Sequence, residues 1–480
     1  MSILVIDVGT SGLRAAVVRP DGNVDALHHV RFPPSTPFPG LVEFDAAAMA
    51  AAVLEVAHRT LAEAGPVDAV GITAQRASTV LWDAATGEPL GPGLGWQDLR
   101  TVLACITARA EHGIGVAPNQ TATKAQWLLD QHDPDRSRDL RIGTVDSWIA
   151  WVLSGGRLHI TDHTNAAVTG LLRADATGWD ERACDALRVP VSMLPSIVDT
   201  SGVVGEATAL PGAPPLAALV GDQQASLVGQ GCVRPGMAKV TFGTGGMLDL
   251  CTGADAPLRA GRGDAGTFPI VAWSRNGITW GVEAIMLSAG TNIDWLVDDL
   301  GILPDAASSD AVAAQCETTD GVVYVPALLG LGTPWWDYGA RGTLLGLTRG
   351  SGRPQIVRAV LEGVAHRGAD LLEAAQHDAG LQASTLRVDG GMSQNATFVQ
   401  ALANATGTPV EVSQHTEATT LGAAYLAGLA TGEWATLDDV AAAWRPRATV
   451  EPTGTLDRAR WAEAIERARR WIPDLSALDF

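Results

Sequence analysis

Short apolar runs alternate with longer amphipathic stretches from the beginning of the chain. Mostly apolar runs such as residues 3–6 and 67–73 are bounded by turn residues and predict buried strands. Between such runs lie stretches with apolar positions at helical spacing, and residues 46–64 and 354–380 are the longest predicted helices. The alternation predicts an α/β fold with mixed sheets flanked by helices.

Two other regions have less regular patterns. Residues 281–300 carry apolar positions that we interpret as a helix bearing Gly290 and Asp294. Residues 190–218 are rich in proline, glycine and valine, which predicts irregular loops.

A glycine turn between two apolar runs occurs twice. Residues 6–14 read IDVGTSGLR, and residues 240–250 read VTFGTGGMLDL. Each predicts a hairpin whose backbone N–H groups can face an anion. Two unrelated hairpins are the alternative, but the repetition favours two similar domains that offer phosphate-binding turns to one interdomain cleft. We place the domains at residues 1–230 and 231–480.

Polar residues follow several of the predicted strands. Asp7, Arg76, Asp222, Thr244 and Gly391 all lie at predicted strand ends, where ligands bind in α/β folds. Phosphoryl transfer needs N–H donors around the phosphates, a divalent cation and a base near the acceptor hydroxyl. Asp7 is suited to hold a hydrated Mg²⁺, and Asp222 is the candidate base.

Each of these residues also has a structural interpretation. Asp222 begins a predicted helix, where an aspartate also serves as an N-cap. Arg76 fits an ion-pair partner as well as a donor to a substrate hydroxyl, and Trp96 fits the core as well as a substrate wall. Gly390 and Gly391 fit a plain connection as well as a close approach to a nucleotide.

Composition excludes several classes of partner. The formal net charge is −20, from 33 basic and 53 acidic residues, which argues against nucleic acid and anionic membranes. Lys124 and Lys239 are the only lysines, which we interpret as coding bias. The five cysteines are scattered and lack metal-ligand spacing. Without a signal peptide or a long apolar span, the sequence predicts a cytoplasmic protein.

The order of the motifs resembles that of the FGGY carbohydrate kinases over nearly the whole chain, and most closely their glycerol kinase branch. The matching stretches are IDVGTSGLRAAVV, GWQDLRT, TDHTNAAVTGLL, GDQQASLVGQ, VTFGTGGMLDL, RGTLLGLTRG, LRVDGGMSQN and TTLGAAYLAGLATG. The resemblance implies two actin-like (ribonuclease H-like) domains. It also implies transfer of the ATP γ-phosphate to a sugar or polyol hydroxyl with Mg²⁺, and a homodimer or homotetramer.

The resemblance also assigns roles to positions. It implies that Asp222 is the catalytic base and that Asp7 is the Mg²⁺-linked carboxylate, with both near the metal. Residues implied to contact the nucleotide or its phosphates are Thr10, Ser11, Arg14, Thr244, Gly245, Gly290, Asp294, Gly391 and Asn395. Residues implied to form the acceptor site are Arg76, Ala77, Trp96, Asn119, Asp222, Gln223 and Met247.

Three departures from the glycerol kinase pattern fall in the acceptor site, and a fourth, at position 294, falls among the nucleotide contacts. Ala77, Asn119 and Met247 stand where those kinases carry glutamate, tyrosine and phenylalanine, and Asp294 stands where a glutamine is usual. A site that pairs each hydroxyl discriminates strongly among acceptors. We therefore expect an altered pocket for a larger polyol, a ketose or a modified sugar. The alternative from another class is a non-catalytic actin-like protein that only binds nucleotide.

Overall fold

The structure is a computed structural model that describes residues 2–257, 261–414 and 417–478. Strands and helices alternate along these residues. The strands are β1 (Ile3–Val8), β2 (Gly12–Val18), β3 (Val24–Arg31), β4 (Glu43–Phe44), β5 (Ala69–Ala74), β6 (Thr79–Asp83), β7 (Gly93–Leu94), β8 (Leu140–Thr144), β9 (Ile160–Asp162), β10 (Ser196–Val198), β11 (Ser201–Glu206), β12 (Pro215–Gly221), β13 (Ala238–Phe242), β14 (Gly246–Gly253), β15 (Phe268–Ser274), β16 (Ile278–Met286), β17 (Val323–Val325), β18 (Thr343–Leu345), β19 (Leu386–Asp389), β20 (Val410–Ser413) and β21 (Pro446–Val450).

The helices cover the faces of the sheets. They are α1 (Ala46–Ala64), α2 (Val102–His112), α3 (Thr121–His132), α4 (Val145–Leu153), α5 (His163–Ala167), α6 (Glu181–Ala186), α7 (Asp222–Gly229), α8 (Thr291–Asp294), α9 (Ser308–Ala313), α10 (Arg353–Ala379), α11 (Ala396–Thr406), α12 (Ala418–Thr431), α13 (Leu437–Ala443), α14 (Arg458–Ala468) and α15 (Pro473–Ser476). None of the described helices combines the length and apolarity that crossing a membrane requires.

Each half of the chain builds a large mixed sheet along the same path. In the N-terminal half the order is β11-β12-β5-β1-β2-β3, and in the C-terminal half it is β15-β16-β14-β13-β19-β20-β21. In both, an antiparallel meander (β3-β2-β1 and β16-β14-β13) is extended by two parallel strands (β5-β12 and β19-β20). The predicted α/β fold of two actin-like domains is confirmed.

The central strands are buried on both faces, as parallel strands covered by helices must be. Leu4, Ile6 and Val8 of β1 face a core shared with α1 and α4. Ile3 and Val5 face the opposite core, shared with α7 and α12. Asp7 has the parity of Ile3 and Val5, so its carboxylate lies on the face covered by α7 and α12.

Helices α7 and α12 cross in direct backbone contact. A Cβ added at Gly229 would lie 1.9 Å from the Ala418 carbonyl oxygen, and one at Gly422 would lie 1.8 Å from that of Ala225. Glycine is therefore required at both positions. Helix α12 packs on β1, β5 and β12. A helix from the C-terminal half of the sequence therefore covers one face of the N-terminal sheet. The domain boundary placed near residue 230 from the sequence stays a prediction.

Two predicted elements are wrong. The helix predicted over residues 281–300 is strand β16 up to Met286, followed by α8 and a π-helical turn at Trp295–Asp299. Val282, Ala284 and Met286 are buried in the sheet, and a short apolar run has no periodicity that separates a strand from a helix. Residues 190–218, predicted as loops, contain β10, β11 and most of β12. By contrast, α1 has the predicted bounds and α10 lies one residue from its predicted bounds.

Candidate active site

The first glycine turn joins β1 to β2. The Gly9 N–H donates to the Gly12 carbonyl at 3.0 Å, which closes the turn and places Asp7 opposite Arg14 in the register. Arg14 Nε lies 3.7 Å from Asp7 Oδ2, and its Nη1 contacts the Glu417 carboxylate from the C-terminal half. Thr10 and Ser11 form the tip, with Ser11 exposed.

Asp7 is in an electrostatically unfavourable position. Its side chain is 8 % exposed, and burial raises its pKa to about 7, with Asp222 and Glu417 also raising it and Arg14 opposing them. Asp7 lies on β1 and Asp222 directly follows β12, and both strands pair with β5, so the two carboxylates lie at the same edge of the sheet. The Thr73 Cα pairs with both Asp7 and Val220, and its buried Oγ1 lacks a hydrogen-bond partner within the described part of the chain.

These features fit a divalent cation. Two carboxylates that repel each other beside an unpaired hydroxyl are stabilised when a cation binds between them. The described residues contain no group of three or more histidine, cysteine, aspartate or glutamate side chains arranged to hold a metal. A site of one or two carboxylates suits Mg²⁺, which keeps several waters and also binds substrate phosphates.

Asp222 is the first residue of α7, directly after β12. The N-cap position belongs to Gly221, so the capping alternative for Asp222 is wrong. Its Oδ1 accepts the Gln223 N–H at 2.8 Å and lies 3.6 Å from Arg76 Nε. Burial raises the pKa of Asp222, and Arg76 opposes that shift. With its side chain 27 % exposed, the carboxylate is accessible from solvent.

Arg76 links the two halves of the molecule. Its Nη2 lies 2.6 Å from Glu283 Oε2 on β16, so the ion-pair interpretation is confirmed. Its Nη1 is buried and lacks a hydrogen-bond partner among the described residues. The guanidinium therefore keeps one buried donor that a ligand oxygen would satisfy. Sequence reasoning missed Glu283, whose signal was a lone carboxylate in an apolar run.

Ala77, Trp96 and the loop carrying Asn119 converge beside Arg76. The Ala77 carbonyl accepts from Thr121 Oγ1 at 3.3 Å. The Trp96 indole N–H donates to Thr10 Oγ1 at 3.1 Å, so the ring lies against the first glycine turn. Asn119 is exposed, and its loop is held near Trp96 by Lys124.

Both lysines are fully buried, which coding bias does not explain. Lys124 Nζ donates to the carbonyls of Pro118, Gln120 and Trp96 at 2.7, 3.1 and 3.4 Å, and burial lowers its pKa to about 7. Lys239 Nζ lies 2.7 Å from Asp249 Oδ2. It also donates to Gln223 Oε1 at 3.0 Å and to Thr241 Oγ1 at 3.2 Å. Lys124 therefore anchors the loop before α3, and Lys239 holds the Gln223 side chain at the start of α7.

The second glycine turn, residues 243–245, packs on the start of α8. The Gly290 N–H donates to the Gly243 carbonyl and the Ala289 N–H to the Thr244 carbonyl, each at 2.8 Å. A Cβ at Gly290 would lie 2.6 Å from the Gly243 carbonyl oxygen, and one at Gly245 would lie 2.7 Å from that of Met286. The close packing therefore requires glycine at both positions.

The remaining nucleotide candidates differ in their freedom to bind. Gly391 is exposed, and a Cβ there would meet no heavy atom within 4 Å. Asn395 caps α11, with Oδ1 accepting the Phe398 N–H at 2.8 Å and Nδ2 donating to Ser309 Oγ at 3.0 Å. Asp294 is exposed at the end of α8, and Met247 is half-buried on β14.

The predicted placement of five residues at strand ends is confirmed. Asp7 lies at the end of β1, and Arg76, Asp222, Thr244 and Gly391 each lie within two residues after β5, β12, β13 and β19. Parallel strands bring their carboxyl ends to one edge. Each sheet therefore presents its glycine turn and polar residues at one edge. The pairs Arg14–Glu417 and Arg76–Glu283 join the edge of the N-terminal sheet to residues of the C-terminal half.

Comparison with known proteins agrees with this geometry. The N- and C-terminal domain models of the FGGY family of carbohydrate kinases match residues 2–229 and 238–431. A glycerol kinase of Aromatoleum aromaticum strain EbN1 is 42% identical over 495 residues, which covers 98% of this chain and 99% of that protein. A glycerol kinase of Deinococcus radiodurans is 40% identical over 500 residues, covering 99% of each.

Among solved structures, Plasmodium falciparum glycerol kinase with ADP superposes with a TM-score of 0.90 at 28% identity, covering 97% of this chain and 98% of that one. A xyloylose kinase from Brucella ovis superposes with a TM-score of 0.84 at 27% identity and full coverage of both chains. The protein is accordingly an ATP-dependent kinase that phosphorylates an alcohol group of a polyol or sugar. The chain belongs to the FGGY family of carbohydrate kinases.

Proposed function

We propose that this kinase uses Mg²⁺·ATP to phosphorylate a polyol or ketose larger than glycerol. The unpaired Nη1 of Arg76 carries the proposal, because a buried cationic donor beside Asp222 requires an oxygen that an acceptor hydroxyl supplies. The side chain at position 77 is a methyl group, so no carboxylate at that position competes with the acceptor hydroxyl for Nη1 of Arg76.

In this proposal the residues divide the work. Asp222 takes the proton from the acceptor hydroxyl, Arg76 and Gln223 orient the acceptor, and Trp96 forms the wall. Asp7, with Asp222 nearby, would hold Mg²⁺, and the bound cation would neutralise charge on the transferring phosphate. Thr10, Ser11, Arg14, Thr244 and Gly245 contact the phosphates. The nucleoside lies against Gly290, Asp294, Gly391 and Asn395.

The size of the acceptor follows from the residues at positions 77, 119 and 247. Ala77 leaves room and removes a hydrogen-bond acceptor, and Asn119 and Met247 present no aromatic surface. Thr121 Oγ1 bonds the Ala77 carbonyl, so the Asn119 loop is fixed to the residue beside Arg76. Glycerol is the main competing acceptor, since the 42% identical relative bears the name glycerol kinase.

The test is ADP formation with three- to six-carbon polyols and ketoses at saturating Mg²⁺·ATP. The proposal predicts that kcat/KM for at least one four- to six-carbon acceptor exceeds that for glycerol by about tenfold or more. Highest kcat/KM with glycerol would overturn the size assignment. If no acceptor reacts while ADP still binds, the non-catalytic alternative is favoured.

Two expectations accompany the proposal. The enzyme forms a homodimer or homotetramer, which mass photometry or sedimentation measures directly. It acts in the cytoplasm, and the five free cysteines, four of them buried, support a reducing compartment.

A further inference from the structure

The segment TDHTNA (residues 161–166) has no role in the proposed reaction, yet it contacts the turn that carries the base. The Gly221 N–H donates to Thr164 Oγ1 at 2.8 Å. Thr164 Oγ1 in turn donates to Asp162 Oδ1 at 2.9 Å. Gly221 is the N-cap of α7, so this bond holds the residue immediately before Asp222.

The direction of the Thr164 hydroxyl is fixed by its neighbours. Asp162 is fully buried and accepts the N–H groups of Thr164 and Asn165 at 2.9 and 3.0 Å. It also accepts Thr200 Oγ1 at 2.7 Å. With its proton directed at this rigid carboxylate, the hydroxyl turns a lone pair towards the Gly221 N–H.

The same network reaches the C-terminal half. The Thr200 N–H donates to Ser274 Oγ, and the Ser274 N–H donates to Thr200 Oγ1, each at 2.9 Å. Ser274 Oγ also lies 2.9 Å from His163 Nδ1. The support beneath Gly221 is therefore bonded to both halves of the molecule, and every hydroxyl in it is paired.

We propose that Thr164 is a positioning residue, which sets the carboxylate of Asp222 through its bond to the Gly221 N–H. This inference rests on the proposed role of Asp222 as the base. General-base catalysis depends on a carboxylate within hydrogen-bond reach of the acceptor proton. A displacement of about 1 Å costs up to about 10²-fold in rate.

Thr164→Val keeps the shape of the side chain but removes its hydroxyl. We expect kcat to fall about 10- to 100-fold, with the KM values for acceptor and ATP within about threefold of the parent. Thr164→Ser, which keeps the hydroxyl, should restore most of the turnover. Wild-type kcat in Thr164→Val, or no recovery in Thr164→Ser, would overturn the inference.

Thr161→Val is the matched control. Thr161 is as buried as Thr164 and donates to a buried carboxylate, Asp146 Oδ2, at 2.8 Å, but it does not bond to Gly221. Its replacement should lower the thermal midpoint to a similar extent and leave kcat unchanged. A fall in kcat equal to that of Thr164→Val would show a general effect of the segment and contradict the proposal.

The double variant Thr164→Val/Asp222→Asn separates this inference from the proposed function. If Thr164 acts through Asp222, the kcat of the double variant should be no lower than that of Asp222→Asn alone. Full activity of Asp222→Asn by itself would refute the base assignment. An inactive Asp222→Asn beside an unaffected Thr164→Val would refute only the role of Thr164.

Discussion

In the N-terminal hairpin the Cα of Asp7 lies opposite that of Arg14, whereas in the C-terminal hairpin Thr241 lies opposite Met247. The two pairs occupy equivalent places in sheets with the same path. One hairpin carries a buried carboxylate and a guanidinium next to its glycine turn. The other carries a hydroxyl and a thioether at that place, and its buried charged pair, Lys239–Asp249, lies two positions further from the turn. Its turn packs through carbonyls and glycines.

The difference indicates a division of labour. Buried charges in the N-terminal half are costly unless a cation, a phosphate or a proton transfer uses them. The C-terminal turn offers exposed backbone and small residues, which suit a nucleotide without taking part in the chemical step. Substitutions of the buried carboxylates of the N-terminal half should therefore lower turnover, and substitutions of the exposed glycines of the C-terminal half should lower nucleotide affinity.

The largest effect is expected for Asp222→Asn. Turnover should fall about 10²- to 10⁴-fold because an amide does not accept the hydroxyl proton. The affinity for ADP, measured by titration calorimetry, should stay within about twofold of the parent because the turns are unchanged. Retention of more than a tenth of the parental kcat would contradict the assignment of the chemical step to the N-terminal half.

Asp7→Asn is expected to have the next largest effect. The activity at fixed Mg²⁺ should fall about 10²-fold, and the Mg²⁺ concentration for half-maximal rate should rise, because the amide carries no charge for the cation. Since burial already disfavours the carboxylate, the thermal midpoint should not fall. Asp45→Asn, which keeps the α1 N-cap, is the control, and an unchanged Mg²⁺ requirement in Asp7→Asn would contradict the assignment.

Gly391→Val tests the C-terminal half. The added side chain meets no protein atom near its Cβ, so the thermal midpoint should be unchanged, while the dissociation constant for ADP should rise about tenfold, equivalent to about 1.4 kcal/mol. Gly178→Val is the control, since its Cβ also enters open space. A lower kcat with unchanged ADP affinity in Gly391→Val would contradict the predicted division of roles between the two halves.

Ala77→Glu should have the smallest effect. Ala77 has a φ of 62°, a conformation equally strained for alanine and glutamate, so the exchange adds no backbone strain. The ratio of kcat/KM for glycerol to that for the preferred larger acceptor should rise about fivefold as the carboxylate fills the pocket. Ala85→Glu, at an exposed turn, is the control and should leave the ratio unchanged. An unchanged ratio in Ala77→Glu would show that position 77 does not face the acceptor.

Much of the fold was predictable from the sequence because its signals are local. The glycine turns, the bounds of α1 and the strand ends carrying Asp7 and Asp222 follow from patterns within a few residues. Strand β16 was not predictable, because burial in a sheet removes the alternation that marks a strand. The order of the motifs identified the family and indicated which residues contact the acceptor and the nucleotide. The binding roles of those residues stay predictions.

The sequence by itself determined the hairpins, most helices, and the positions of the carboxylates and the two lysines. Tertiary structure alone decided which groups meet: Arg76 with Glu283, Lys239 with Gln223, and Gly221 with Thr164. These partners are 207, 16 and 57 positions apart. Local propensity does not encode such contacts, because they depend on how α12 and the two sheets pack and on which buried polar atoms then need a partner.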